Sequence, residues 1–174
     1  VDDVRAGFRI NLRGSNVTFG FNPDMICFGK AIANGHPLAS LVGTDQLKQS
    51  AEKVYFTGTQ FFSGPPMAAA LATLNELEKA DAPKVLIKYG EKLNERLEKV
   101  AHEKGFNLVA SGMPSMPYYR LEGESFETHI KWIDECVKRG VYMLSYHNHF
   151  VSLAHTDEDI DFIEAAAKQA FDNL

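Results

Sequence analysis

Asn22-Pro23-Asp24-Met25-Ile26-Cys27-Phe28-Gly29-Lys30 is the stretch whose reading decides the fold. Asn-Pro-Asp carries turn chemistry, and four apolar residues follow it without a polar break. That pattern reads as a buried strand introduced by a turn. Gly29 leaves room for close backbone approach, and Lys30 comes immediately after it. A lysine at the end of a buried strand is expected to be partly desolvated, which lowers its pKa and frees the neutral amine to attack a carbonyl. The competing account is a lysine that snorkels to solvent. On these residues alone the competing account is the commoner outcome. Cys27, inside the apolar run, reads as a small buried hydrophobe rather than a nucleophile.

Downstream, Leu38-Ala39-Ser40-Leu41-Val42 reads as a second strand after the turn Asn34-Gly35-His36-Pro37. Thr44 or Asp45 is a candidate cap for a short helix through Ala51. Residues 55–62 are aromatic and β-prone, and Pro65 and Pro66 open an Ala- and Leu-rich helix running to about Lys79. Upstream, Asp2 is an acid at a strand end, of the kind that can hold the protonated pyridine nitrogen of a cofactor; on this residue alone, a solvated turn carboxylate is the commoner outcome. Residues 1–80 thus read as part of a layered α/β domain.

Residues 81–174 read as a small α+β domain. Leu86, Leu93, Leu97 and Val100 recur at helical spacing, with Gly105 as the stop. Leu108-Val109-Ala110 and Tyr118-Tyr119-Arg120-Leu121 are strand candidates. Ser125 caps a helix whose expected inner face is Phe126, Ile130, Ile133 and Val137, ended by Gly140. Val141-Tyr142-Met143-Leu144 reads as a strand, and Phe150-Val151-Ser152-Leu153 as a further candidate. Thr156-Asp157-Glu158-Asp159 supplies a cap and three carboxylates to the start of the last helix, where the helix dipole favours negative charge.

Composition excludes several classes. The 174 residues are 45% hydrophobic and 24% charged, which is the profile of a soluble globular protein. The net charge of -5 comes with scattered basic residues, so no nucleic-acid footprint is present. The apolar stretches are too short for a bilayer. Val1-Asp2-Asp3-Val4 does not open a signal peptide. Two cysteines, Cys27 and Cys136, suit a reducing compartment, and the expectation is a cytoplasmic protein. The chain lacks an initiator Met, and a fragment, a cleaved product or an incomplete gene is expected. His147, His149 and His155 have no Cys or acidic partner at metal-ligand spacing, so no metal site is expected. The Gly29-Lys30 pair lacks the other residues of a phosphate-binding P-loop.

Four segments in order carry a resemblance. Asp2-Asp3-Val4-Arg5-Ala6-Gly7-Phe8-Arg9 is similar to the Asp-Glu-Val-x-x-Gly-Phe-Arg motif of class III pyridoxal-phosphate-dependent aminotransferases, with Asp3 in the Glu place. Pro23 through Lys30 resembles that family's Pro-Asp-(apolar)-Gly-Lys segment. Gly58-Thr59, with Ser63-Gly64-Pro65 and the Ala-rich run after it, resembles the phosphate-contacting Gly-Thr and its helix. Phe150-Val151-Ser152-Leu153-Ala154-His155-Thr156 resembles the C-terminal signature. Within that family the chain resembles the glutamate-1-semialdehyde 2,1-aminomutase-like members.

The resemblance implies the carboxy-terminal part of a type I aminotransferase-like fold. Residues 1–80 would end the cofactor-binding large domain, and 81–174 would form the small C-terminal domain. It implies pyridoxal 5'-phosphate as cofactor and Lys30 as the Schiff-base residue and proton shuttle. Asp2 would pair with the pyridinium nitrogen and Val4 would pack on the ring. Gly58 and Thr59 would reach the cofactor phosphate, in this family typically from the neighbouring subunit of a homodimer. The substrate would be a small amine or amino acid. Two departures shift that substrate away from the aminomutases: His147 falls near the place of a Glu, and the loop Thr59-Gln60-Phe61-Phe62-Ser63 is longer. The family's first half, with a second phosphate loop and a ring-stacking aromatic, has no counterpart here. The alternative reading is therefore a catalytically incomplete fragment, or one piece of a split enzyme inactive without the N-terminal half.

Overall fold

The computed structural model describes all residues, 1–174. The chain divides into two compact units, Val1–Lys84 and Val85–Leu174, each built on its own hydrophobic cluster.

In the first unit, β1 (Met25–Phe28) and β2 (Ser40–Gly43) pair antiparallel, from Met25 opposite Gly43 to Phe28 opposite Ser40. The opening residues run parallel along the other side of β1 through a bridge between Asp2 and Cys27. The Cys27 N–H donates to Val1 O and the Asp3 N–H to Cys27 O, both at 2.9 Å. A helical turn, α1 (Ser15–Phe19), lies between. Beyond β2, a tight turn Asp45–Leu47 runs into α2 (Lys48–Ala51). Thr44 stands at the cap position but makes no side-chain cap bond. The helix α3 (Gly64–Lys79) carries Pro65 and Pro66 in its first turn, where a missing N–H costs little. Its Ala69, Ala70, Leu74 and Leu77 join Phe8, Phe28, Ile32 and Ala33 in the core.

That core covers one face of the strands, which corrects the reading of β1 as fully buried. Side chains alternate along a strand. Phe28 is buried and Ile26 packs against the cluster, while Met25 and Cys27 are exposed. Cys27 is therefore not a buried hydrophobe. The second strand starts at Ser40, two residues later than expected, since Leu38 packs on the core instead. Residues 55–62 form no strand; 59–62 are turns and 55–58 have no regular structure. Phe62 has a left-handed backbone (φ 59), which no extended ladder accommodates.

The second unit runs α4 (Ala82–Glu103), β3 (Asn107–Ser111), β4 (Tyr118–Glu122), α5 (Phe126–Lys138) and α6 (Asp157–Phe171). β3 and β4 form an antiparallel pair from Asn107 opposite Glu122 to Ser111 opposite Tyr118. Leu93, Leu97, Val100, Leu121, Trp132 and Ile160 are buried together. The helices α4 and α6 lie side by side in parallel. Lys92–Asp157, Arg96–Asp161 and Glu103–Lys168 each join residues 65 apart. Partly exposed pairs of this kind contribute about 0.2–1 kcal/mol each, so they fix register more than stability. Ser125 Oγ accepts the Thr128 N–H at 3.0 Å, and Thr156 and Asp159 form a capping box at α6.

The inner face of α5 is His129, Trp132, Ile133 and Cys136, not the expected Phe126, Ile130, Ile133 and Val137. Phe126 and Val137 are exposed. The two stripes share Ile133, and the one containing the large indole is buried. Residues 141–144 and 150–153 form no strand. Single bonds hold this stretch to the β3–β4 connection instead: His149 N–H to Pro117 O at 2.7 Å and Val151 N–H to Ser115 O at 3.3 Å.

Gly90 of α4 lies against that connection. A Cβ there would stand 1.8 Å from Pro114 O, an overlap with backbone that no rotamer relieves. Gly90→Ala is expected to destabilise the second unit by about 3 kcal/mol or more. Denaturant unfolding followed by the fluorescence of Trp132, the one tryptophan, measures this. An unchanged midpoint would show that the helix shifts at no cost.

Candidate cofactor-binding end of the first strand pair

The backbone carries three of the residues singled out in the sequence to one end of β1. Asp2 is bridged to Cys27, two residues before Gly29. Its Oδ1 accepts the Val4 N–H at 3.1 Å, which closes a small turn and orients the carboxylate. Val4 is half-buried and covers Gly29: a Cβ on Gly29 would stand 3.1 Å from Val4 Cγ1. Lys30 follows at the start of a tight turn, Lys30–Ala33, with a left-handed backbone (φ 44). A non-glycine residue in that region is held by its surroundings at a cost of order 1–3 kcal/mol, and such positions cluster at functional sites. Lys30 and Asp2 are exposed, so this chain by itself does not supply the desolvation expected at the end of a buried strand.

Gly58 and Thr59 lie in the exposed segment before α3. The aromatic contacts of this segment are internal, with Phe61 against Phe56 at 4.5 Å and against Phe62 at 6.0 Å between ring centroids. His147 belongs to the second unit, in the stretch between α5 and α6. Its Nδ1 donates to the Asn148 carbonyl oxygen at 2.6 Å. The Ser145 carbonyl anchors the same stretch, accepting from Tyr118 Oη at 3.1 Å and from His129 Nε2 at 3.2 Å. His149 Nε2 accepts the Leu144 N–H at 3.1 Å, and His155 Nδ1 accepts the Ser152 N–H at 3.0 Å.

Comparison with known proteins gives this geometry its context. The family model described as aminotransferase class-III matches residues 1–170. The chain belongs to the class III aminotransferases. An aminopentol aminotransferase of Sphingopyxis macrogoltabida is 37% identical, over 98% of this chain and 41% of that protein. A glutamate-1-semialdehyde 2,1-aminomutase of Pyrobaculum islandicum is 31% identical, over 99% of this chain and 45% of that protein. Among solved structures, the FumI protein of Sphingopyxis sp. MTA144, in a pyridoxal phosphate internal aldimine form, superposes with a TM-score of 0.95. That match is 37% identical and covers 99% of this chain and 42% of the other. This class III chain thus spans about two fifths of the length of the relatives it matches.

Two residues near Lys30 had no assigned part in the sequence reading. Gly7 is required by space, since a Cβ there would stand 2.7 Å from both Asp3 O and Phe28 Cδ1. Asp3 is buried, and its Oδ2 accepts the Ser15 N–H at 2.8 Å. The available signal was strand alternation, which turns neighbouring side chains to opposite faces.

The histidines of this class III chain set a pH dependence. Burial lowers the pKa of His129 from its usual 6.5, and the nearby Arg120 adds to the effect. Burial also lowers His149, helped by His147 and His129. The unfolded chain therefore takes up protons that the folded chain refuses. Stability is full above about pH 6.5 and falls as pH drops from there toward the lowered folded values. Asp157 and Asp159 are lowered from 3.8 by their bonds to Lys92 and Thr156, so their contribution is lost as pH falls below about 3.8. Unfolding followed by Trp132 fluorescence across pH is expected to show both windows. His149→Gln is expected to flatten the upper one, and an unchanged profile in that variant would contradict the assignment.

Proposed function

We propose that this chain is the carboxy-terminal part of a pyridoxal-phosphate-dependent aminotransferase acting on a small amine or amino acid. Residues 1–80 end its large cofactor-binding domain and 81–174 form its small domain. The observation that carries this reading is that Asp2 is bridged to β1 and Val4 covers Gly29, the residue before Lys30, in a chain of this family. The donor set suits the cofactor: Asp2 for the ring nitrogen, Val4 for a ring face, Lys30 for the aldehyde carbon. Gly29, with no Cβ, lets Val4 lie against the strand end.

Bound pyridoxal phosphate supplies an electron sink for the electron pair left on the substrate's amino-bearing carbon. The rest is the work of this chain's residues. Lys30 Nζ would be the amine that holds the cofactor, and as a free amine it would remove and return the proton at that carbon. The Asp2 carboxylate would keep a proton on the ring nitrogen. The Thr59 hydroxyl, with Gly58, would hold the phosphate in a homodimer with shared sites. His147 is carried over from the resemblance as a residue of substrate choice. Amino transfer is favoured over intramolecular amino migration by the higher identity to the aminopentol aminotransferase than to the aminomutase, and by His147 in place of a Glu. The cytoplasm is the expected compartment.

A second reading, in which the chain acts only with the remaining part of the enzyme, draws on its bare apolar side chains. Tyr55 is 89% exposed, Phe62 87% and Leu71 67%. A cofactor absorption band that develops only when a polypeptide corresponding to the remaining part is supplied would favour this reading.

Lys30→Ala is expected to abolish covalent cofactor retention through a denaturing wash, read from the absorption spectrum; a persistent bound band would remove Lys30 from this role. Asp2→Asn is expected to keep part of the cofactor affinity. It should slow isotope wash-out from the amino-bearing carbon about 10- to 100-fold, the range for losing a charged hydrogen bond. An unchanged rate would take Asp2 out of the mechanism.

A further inference from the structure

We infer that Asp3 is a positioning residue, whose buried carboxylate fixes the backbone that presents Asp2 and Val4 to the cofactor. The inference rests on the proposed cofactor reading. Asp3 is 1% exposed and is the one carboxylate among the buried residues. Its Oδ2 accepts the Ser15 N–H at 2.8 Å, while its Oδ1 is buried without a hydrogen-bond partner. Its backbone N–H donates to Cys27 O at 2.9 Å and its carbonyl accepts the Gly7 N–H at 2.8 Å. Three separate stretches of chain are therefore tied to this one residue: the start of α1, the strand β1 and the turn at residues 4–7.

A buried carboxylate with one oxygen unsatisfied is a poor choice for stability alone, because the desolvation of that oxygen is not offset. What the arrangement achieves is orientation. Asp3 faces inward and Asp2 is exposed, as alternation along an extended segment requires. Holding residue 3 from inside fixes the backbone on which the Asp2 carboxylate turns. Asp2 Oδ1 accepts the Val4 N–H, and Val4 covers Gly29, the residue before Lys30. The link from Asp3 to the reacting end of the site thus runs through two neighbouring residues and one van der Waals contact. Asp3 is the residue standing in the Glu place of the family motif, which makes Asp3→Glu the conservative variant.

The test compares the unsubstituted 174-residue chain with Asp3→Ala and Asp3→Glu by two readouts. The first is amide hydrogen exchange, which needs no cofactor. The second is the pH midpoint at which the absorption band of pyridoxal phosphate bound at Lys30 titrates. In Asp3→Ala, exchange at residues 3, 15 and 27 is expected to quicken about tenfold or more, the scale of a lost hydrogen bond to a charged group. Amides in the second unit should keep their protection. The band's midpoint is expected to move by about half a pH unit or more, since the ring nitrogen's partner is no longer held. Asp3→Glu is expected to restore both. If Asp3→Ala does not fold, Asp3→Asn keeps an acceptor for Ser15, loses the charge and is read the same way.

Unchanged exchange in the variant overturns the inference. Faster exchange with an unmoved midpoint makes Asp3 merely structural and overturns it as well. Absence of any Lys30-bound band in the unsubstituted chain counts against the cofactor reading, and the exchange result then decides by itself whether Asp3 holds Asp2.

Discussion

The parallel pairing of the opening residues with β1 is the constraint on which the first unit's chemistry depends. Two backbone bonds of 2.9 Å, Cys27 N–H to Val1 O and Asp3 N–H to Cys27 O, hold the segment beside the strand. They put an acid and a lysine 28 positions apart in sequence at the same strand end. Everything local then follows from fit. Gly7 is a glycine because Asp3 O and Phe28 occupy the space a Cβ would need, and a Cβ on Gly29 would press on Val4. Lys30 takes a left-handed backbone because the chain must turn at once into Lys30–Ala33 and pass beneath α3. The core of Phe8, Phe28, Ile32, Ala33 and Ala70 backs this turn and keeps it in place.

The second unit is organised differently, around packing rather than pairing. Its two-stranded sheet is too small to be stable without helices against it. Trp132, Tyr119 and Leu121 fill the space between the strands and the helices. The parallel ion-pair ladder between α4 and α6 sets their register. The stretch between α5 and α6 is held by a few directed bonds, with the Ser145 carbonyl as their meeting point.

Helices were the most legible part of the sequence. Periodicity and caps marked α3, α4, α5 and α6 within a few residues, because those signals are local. The failures were non-local. Periodicity allowed two stripes on α5, and only packing selects the one with Trp132. An unbroken apolar run predicts burial on both faces of β1, yet this chain supplies cover for one. Residues 141–144 and 150–153 are apolar enough for strands but meet single backbone partners instead of a ladder. The candidate site divides in the same way. Asp2, Val4 and Lys30 were nominated through a motif, and the position of their backbones at one end of β1 is a consequence of pairing. Asp3 was passed over, because alternation puts two adjacent acids on opposite faces without saying which one turns inward.

The central claim is that Lys30 is the cofactor lysine. It is tested most directly by adding pyridoxal phosphate to the purified chain, reducing with borohydride and mapping the labelled peptides by mass. The account predicts a single label on Lys30 at full occupancy. Labelling that is absent, or spread over surface lysines with no preference for Lys30, would contradict it.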